Sequence, residues 1–446
     1  MTDLLSIGAS GLRAYSSALA TVGDNIANAQ TPGYARRSIR LEEAQASGDV
    51  VLYRNNIRPG GVLVAGVTRA VDSWLVEDAR VASSDSGRTA SRLNWVGAAE
   101  RAIDDGPGGV GANITSVFNA ADQLASDPSN GALRAGFLNA VGETAASFRR
   151  TATGLQSTAS GIAAQAQSVV TQVNTDLTAL ERVNDGLRRA RAGSTNEATL
   201  LDERDRLIDQ VSGSIAVSAT FDARGAVTLR EAGSSGEVLV GGGSAATLSL
   251  SVAVNGQLGF TLTPSTSGSI TPISGALAGL VEAANHVAGL RSQLDMLSNQ
   301  FANDLNTAHQ SGRDANGATG IALLNANTGA ATIAAISLAP ADVAAADASS
   351  ANGNMLGLAS LRGPSGAEAT WAALVSAQAQ ATASARAQDA AGTTRREGAF
   401  AARDNVSEVD LDHEAADLLR FQQAYEGAAR IIQVARETMQ SILAVF

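Results

Sequence analysis

A chain of 446 residues can bury the cores of several compact domains, and 45% hydrophobic against 17% charged residues excludes a wholly disordered polymer. A net charge of −11, with no lysine and no clustered basic patch, excludes a nucleic-acid partner and argues equally against holding an anionic membrane surface. There is no cysteine, so stability must come from packing and assembly. Aromatic residues at 4% leave little material for a small-molecule pocket.

The chain opens on Met1-Thr2-Asp3-Leu4-Leu5, without a positive n-region or a continuous apolar h-region, and therefore predicts no cleaved Sec signal peptide. No run approaches the roughly 20 apolar residues of a membrane helix. From Leu5 to Ala29 the apolar residues repeat every seven. Leu5, Leu12, Leu19 and Ile26 form one row, and Gly8, Tyr15, Val22 and Ala29 a weaker second row, the a/d seam of a helix. Asp3, Arg13 and Asp24 are its only charges. Asn25-Ile26-Ala27-Asn28 then runs into Thr31-Pro32-Gly33-Tyr34. Pro32 lacks the amide hydrogen a helix needs and pushes Thr31 into an extended conformation, and Gly33 fits the positive-φ position of a type II turn. Tyr34 to Leu41 alternates, predicting a short strand.

Residues 81–212 carry mainly helical spacing, interrupted at Gly106-Pro107-Gly108-Gly109 and at Asp127-Pro128. Leu155, Ile162, Val169, Val173, Leu177, Leu180 and Leu187 predict a long helix over 151–190. Leu201-Asp202-Glu203-Arg204-Asp205-Arg206-Leu207-Ile208 is a charged helical stretch. Read blandly, Asp202–Arg206 and Glu203–Arg206 are neighbour pairs on one helix; read more sharply, Arg204 and Asp205 fix a junction between helical shaft and β domain. From 214 to 275 the composition turns to Val, Thr, Ser and Gly with period-2 patches, a β-rich region. Helical period returns at 277–308, with Leu280, Val287, Leu294 and Phe301 spaced by seven, followed by Asn306, His309 and Gly312. Residues 313–362 read as mixed and β-containing, and 366–400 as an Ala-rich helix.

The last helix repeats the terminal design. Leu411, Leu418, Tyr425, Ile432, Met439 and Phe446 are seven apart, with Phe421, Ala428, Ala435 and Ile442 as the second row; Asp410, Asp412, Glu414 and Asp417 crowd its start, where Ser407 or Asp410 is the N-cap. These seams need cover, since burying one large side chain stabilises by roughly 1.5–3 kcal/mol. Either both helices pack within one monomer, or the termini pair with each other and then with neighbouring subunits. The low charge of the first helix favours the second reading.

Signals for catalysis are weak. The three histidines, at 286, 309 and 413, form no His-Glu-x-x-His, and no cysteine can ligate zinc. His309 reads as structural rather than as a ligand. The glycine cluster at 106–111 follows a helix rather than a strand and reads as a loop, not a dinucleotide fingerprint. No catalytic, cofactor-binding or metal-binding residue is assigned, and no cofactor is expected.

Asn25-Ile26-Ala27-Asn28-Ala29-Gln30-Thr31-Pro32-Gly33-Tyr34 resembles the N-terminal signature of flagellar rod, hook and hook-associated axial proteins. Leu411 to Leu418, Phe421 to Tyr425 and Ala429 to Ile432 resemble the last helix of the same superfamily. Within it, Asp202, Arg204 and Asp205, and Asn306, His309 and Gly312 with Asp314 and Gly317, resemble internal motifs of the hook-associated protein 1 family; Glu408 departs from a usual glycine. The resemblance implies a mainly α fold with an inserted β-rich domain. Its parts would be coiled-coil-like terminal helices (1–50 and 400–446), a helical-bundle shaft (51–212, 277–312 and 363–399) and an outer β domain (213–276 and 313–362). It implies a structural adaptor, not an enzyme, that forms a ring at the distal end of the hook. Leu5, Leu12, Tyr15, Leu19, Val22, Ile26, Leu411, Leu418, Phe421, Tyr425, Ile432, Met439 and Ile442 would supply the assembly interface. Its partners would be further copies of itself, the hook protein, hook-associated protein 3 and a flagellar export chaperone. It would reach the outside of the cell by type III export, without a cleaved signal. The alternatives are another axial subunit, of hook or rod, and more distantly a secreted wall-acting enzyme.

Overall fold

The computed structural model describes residues 2–31, 33–44, 60–103, 105–233, 236–265, 268–325, 327 and 329–444. Helix α1 (Thr2–Asn28) leads through a turn into an antiparallel ribbon, β1 (Arg37–Ala44) and β2 (Gly61–Arg69). The ribbon's register shifts where Arg40 pairs with Gly66 and Leu41 with Val64, leaving Ala65 as the bulge. The division expected at residue 50 falls between these two paired strands. Hydrogen bonding pairs residues 61–69 with β1. The strand expected from Tyr34 starts at Arg37, because Arg36 N–H donates to Ser407 O (2.8 Å) instead of entering a ladder.

The shaft is a helical bundle of α2 (Ser73–Ala102), α3 (Val110–Ser126), α4 (Gly131–Arg189), α5 (Thr195–Ser214), α6 (Ala276–Ser311), the short α7 (Gly353–Gly357) and α8 (Ala367–Ser407). The breaks between α2, α3 and α4 fall at the two predicted Gly/Pro interruptions. Asp72, Asn130 and Ser194 cap α2, α4 and α5 by accepting first-turn N–H bonds. At 59 residues α4 is about 90 Å long and forms the spine. Leu155, Ile162, Val173, Leu177, Leu180 and Leu187 of α4, with Leu280, Val287, Leu294 and Phe301 of α6, are buried in one apolar core. Helix α8 runs unbroken through the expected boundary at 399/400; Ala399 packs on Ala79 and Ala82 of α2 beside Phe400.

Between α5 and α6 lie two small antiparallel sheets. One has the order β3 (Val217–Phe221), β4 (Val227–Glu231), β5 (Val238–Gly241), β6 (Ser244–Ala245). The other has β7 (Thr247–Val252), β8 (Leu258–Thr263), β9 (Ser269–Ile270). Their inner residues, among them Leu229, Val240, Leu248, Phe260 and Leu262, belong to the same core as the bundle. Residues 313–362 do not join them. Among their described residues the expected β content is limited to isolated bridges (Arg313–Thr319, Arg313–Ala346, Leu324–Ala335) and short helical turns. The reason is local: the segment is tied to helices, with Arg134 of α4 donating to Val343 O (2.7 Å) and Arg149 to Ile333 O (2.6 Å). The chain closes with α9 (Leu411–Leu443), capped by Asp410, which accepts from Asp412 N–H (2.9 Å). Helix α9 packs along α1.

Candidate functional site

The two terminal helices meet through small residues. On α1 the deepest positions facing the protein are Gly8, Gly11, Ala14, Ala18 and Val22; on α9 they are Glu414, Ala428 and Ala435. A Cβ at Gly8 would stand 2.7 Å from Ile432 Cγ1, so only glycine lets the helices approach this closely. Leu5, Leu12, Tyr15 and Leu19, and Leu418, Phe421, Tyr425, Ile432 and Met439, flank this line and are partly buried. Ile26, Leu411 and Ile442 stand exposed. Phe446 and Pro32 lie outside the described residues.

Where α1 ends, Asn25 is the hub. Its Oδ1 accepts from Tyr34 O–H (2.8 Å) and from Arg37 N–H (3.0 Å). Its Nδ2 donates to Arg37 O (2.8 Å) and to Glu414 Oε2 (3.0 Å). One buried amide thus joins α1, the head of β1 and the head of α9, the three places the sequence motif spans. Asn28 Oδ1 accepts from the Thr31 hydroxyl (3.3 Å), the turn closes by Tyr34 N–H to Thr31 O (3.1 Å), and Gly33 has the expected positive φ of 82°. Arg37 lies 4.8 Å from the Tyr34 ring, and burial pushes the Tyr34 hydroxyl up to about 12.

Beside this hub α5 presents Asp202, Asp205 and Asp209, at steps of three and four residues, on one face. Asp202 accepts from Arg37 (2.6 Å) and Arg69 (2.7 Å), both from the ribbon. Asp205 accepts from Arg69 (2.9 Å), from Arg80 of α2 (3.3 Å) and from Arg204 (2.7 Å). Asp209 accepts from Arg80 (2.8 Å) and from Arg403 of α8 (2.9 Å). Burial alone would raise the Asp205 carboxyl, but Arg204, Arg69 and Arg80 outweigh it and hold it below the ordinary carboxylate range. Arg204 continues outward, donating to Gly225 O (2.6 Å) and lying 4.2 Å from the Phe221 ring, so it also reaches the first sheet. Glu203–Arg206 forms the expected neighbour pair; Asp202 takes the ribbon arginines in place of Arg206. The ribbon also touches the α4–α5 loop directly: Val67 N–H donates to Gly193 O (2.9 Å). A Cβ at Gly66 would sit 2.8 Å from Gly193 Cα, so both positions need glycine.

Asn306, His309 and Gly312 act on the loop after α6. Asn306 Oδ1 accepts from Leu323 N–H (2.8 Å) and Leu324 N–H (3.0 Å) while its Nδ2 donates to Leu324 O (2.7 Å). His309 Nδ1 donates to Ile321 O (2.6 Å) and Nε2 accepts from Ala344 N–H (2.8 Å), which sets a neutral tautomer; burial holds its pKa below the usual value. Gly312 closes the helix with its N–H on His309 O (3.2 Å). Among the described residues no group of three or more His, Asp or Glu is placed to hold a metal ion, and no helix is long and apolar enough to cross a membrane.

The sequence alone did not mark Arg37, Arg69, Arg80, Asp209 or Arg403, and it placed Glu414 only among the acidic residues at the head of the last helix. The signal for Asp209 was present in the three-and-four spacing of the carboxylates. The arginines lie 125 to 194 positions in the chain from the aspartates they bind and carry no local mark.

Fold and site define a class: a helical subunit whose two chain ends form one close helix pair, docked through an arginine–aspartate cluster on a long bundle that carries small sheets. The sequence profile described as "Flagellar hook-associated protein FlgK helical domain" matches residues 96–324, just over half of the chain, and the chain belongs to that family. The profile "Flagella basal body rod protein" matches residues 5–34, and "Flagellar basal body rod FlgEFG protein C-terminal" matches 403–445. The flagellar hook-associated protein 1 of Salmonella typhimurium is 26% identical over 332 residues, covering 72% of this chain and 59% of that protein; that of Escherichia coli K12 is 24% identical over 330 residues, with the same coverage. The chain therefore matches about three fifths of the length of these curated relatives. The flagellar hook junction protein FlgK from Burkholderia pseudomallei has a similar solved structure, with a TM-score of 0.49 and 20% identity, over 56% of this chain and 46% of that one.

Proposed function

We propose that this chain is a structural adaptor of the bacterial flagellum, seated as a ring of like subunits between hook and filament. In this reading the hook protein lies below, hook-associated protein 3 lies above, and a chaperone accompanies the chain through type III export. α1, β1, β2 and α9 form the inner axial part, the bundle α2–α8 forms the shaft, and β3–β9 lie outside it. The names of the relatives support the place in the assembly; the observation that carries the mechanism is a second apolar stripe on α9.

One stripe of α9 faces α1. The other consists of Ala424, Gly427, Val434, Thr438 and Ile442, about 80° round the helix by the 3.6-residue turn; Ile431 lies between the two stripes, its Cγ2 3.5 Å from where a Cβ at Gly8 would stand. Ile431, Val434 and Ile442 stand in water, Val434 at 60% exposure. A helix with two seams fits two neighbours, and α1 fills one. Further copies of the chain fill the other, because a closed ring presents the same helix to each subunit.

The test is Val434→Asp. Val434 is 60% exposed, so the purified variant is expected to keep its melting behaviour, within about 0.5 kcal/mol. Incorporation at the hook tip and motility are expected to be lost in cells that carry only the variant. Normal motility would count against the reading.

A further inference from the structure

A ring of identical subunits closes only if one flank of each copy fits the opposite flank of the next, at the same height. The base of the shaft carries two such flanks. Of the chain's three tryptophans, Trp371 is buried with its indole N–H on Asp105 (2.7 Å), and Trp95 is half-buried with its own on Gln165 (2.7 Å). Trp74, at the head of α2, is 70% exposed, and among the described residues its indole N–H has no partner. Glu77, Asp78 and Val81 follow it at steps of three, four and seven on the same outer face. Among the described residues Glu77 pairs with no arginine, and Asp78 shares Arg395 of α8 with Asp85 (3.5 and 3.1 Å). The tryptophan thus stands in an acidic collar.

The other flank is the end of α4, where Arg182, Arg188, Arg189 and Arg191 are exposed. Arg188 and Arg189 share Asp185; Arg182 and Arg191 have no carboxylate partner among the described residues. Helix α5 keeps the two flanks apart. Its carboxylates meet Arg69, just before α2, and Arg80 within it. On its far side, about 140–180° round, Leu200 lies against α4: a Cβ at Gly186 would stand 3.2 Å from Leu200 Cδ1. The heights agree as well. Helices α4 and α5 are joined by a short loop and run antiparallel. Asp205, which meets both Arg69 and Arg80 and so stands level with the head of α2, is five residues past Leu200. Five residues back from Gly186 stands Glu181, beside Arg182.

We infer that in the assembled ring the head of α2 docks on the end of α4 of the next copy: Trp74 lies against that copy's arginines 182–191, with Glu77 and Asp78 as their counter-charges. The inference rests on the reading of the chain as a ring subunit and adds the surface by which the shafts touch. A large exposed indole does nothing for a lone subunit, whereas at an interface tryptophan and arginine are the residues that carry most binding energy. The face of the ring attracts a guanidinium, and the carboxylates beside it fix which way the arginines lie. A second copy is the occupant because one chain carries both halves, opposite in charge and on opposite flanks. A head-to-tail contact joins the halves in every neighbouring pair. Like flanks face to face would set acid on acid or arginine on arginine.

The chain has no cysteine, so two can be introduced cleanly. Glu77→Cys and Arg189→Cys change exposed side chains on the two flanks, which α5 holds apart within one copy. Flagella isolated from cells that carry only the double variant are treated with a short bifunctional maleimide. The expected result is a ladder of covalent dimers, trimers and higher multimers of this chain, with none from either single variant. In a second measurement Trp74→Ala, at an exposed position, is expected to melt as the wild type does and to lower the number of copies per hook tip about tenfold. No ladder from an incorporated double variant would overturn the inference, and so would wild-type incorporation of Trp74→Ala. A ladder from Glu77→Cys alone would overturn it too, since like flanks would then meet, as would an adduct to a different protein in place of the ladder. The wild-type chain is the control for the reading beneath: its absence from the hook tip would sink the adaptor itself, whereas its presence there without a ladder from the double variant sinks only this contact.

Discussion

At the scale of single residues, the family motifs act as backbone fasteners. Asn25 and Asn306 each use an amide to satisfy backbone N–H and C=O groups of a distant segment, Asn25 those of Arg37 at the head of β1 and Asn306 those of Leu323 and Leu324. His309 does the same with two ring nitrogens, and this makes it sensitive to pH. The native ring stays neutral because burial lowers its pKa, while the unfolded chain takes up a proton near pH 6.5. Below about pH 6.5 the unfolded state therefore binds a proton the native state does not, so stability falls as pH falls, until the native ring is protonated as well. Replacing His309 by Gln is expected to lower stability at neutral pH and to flatten this part of the profile. Denaturation midpoints of both proteins between pH 7.5 and 5 check it through the difference in slope, in which the shared carboxylate contributions cancel.

At the scale of elements, α4 is the member on which the sheets are hung. Asn184 accepts from Val227 N–H (2.8 Å) and donates to Val227 O (2.8 Å). Ten positions earlier Asn174 does the same for Leu248 (2.8 Å each). Each asparagine thus anchors one sheet, the first through β4 and the second through β7. The Asn184 site is buried and the Asn174 site is half-buried. Asn184→Ala should therefore leave a buried N–H and C=O unpaired and cost about 2–4 kcal/mol, and Asn174→Ala about 1 kcal/mol. Chemical denaturation gives the totals. Faster amide exchange at Val227 alone in the first variant and at Leu248 alone in the second would show that each asparagine serves its own sheet; equal losses across both sheets would contradict that.

At the scale of the whole molecule, cohesion is divided. The shaft and sheets share one apolar core, whereas the terminal unit is covered partly by itself and partly by charge. Deleting 412–446 is thus expected to leave the shaft's cooperative melting close to that of the full chain, because α9 contributes nothing to that core. The same deletion should abolish incorporation at the hook tip and expose α1 to rapid exchange. Collapse of shaft melting in the truncated protein would show that the two parts are a single cooperative unit after all.

The sequence by itself determined whatever depends on neighbours in the chain. Heptads marked the long helices, Gly and Pro marked the breaks at 106–109 and 127–128, period-2 patches marked the sheets, and Gly33 marked its own turn. All of these are carried by residues a few positions apart, where backbone geometry and side-chain spacing act directly. The tertiary structure decided what depends on distant partners. It showed that the terminal helices approach most closely where Gly8 of the weaker row meets Ile432, with Leu5, Leu12 and Leu19 flanking that line half-buried. It showed that the described residues of 313–362 form loop, isolated bridges and short helical turns rather than sheet. It showed too that Asp202 belongs to Arg37 and Arg69, and not to Arg206 one turn away. An ion pair or an amide fastener needs only one suitable side chain at each end, with no repeat along the chain, so nothing periodic announces it. It exists only once folding has brought the ends together.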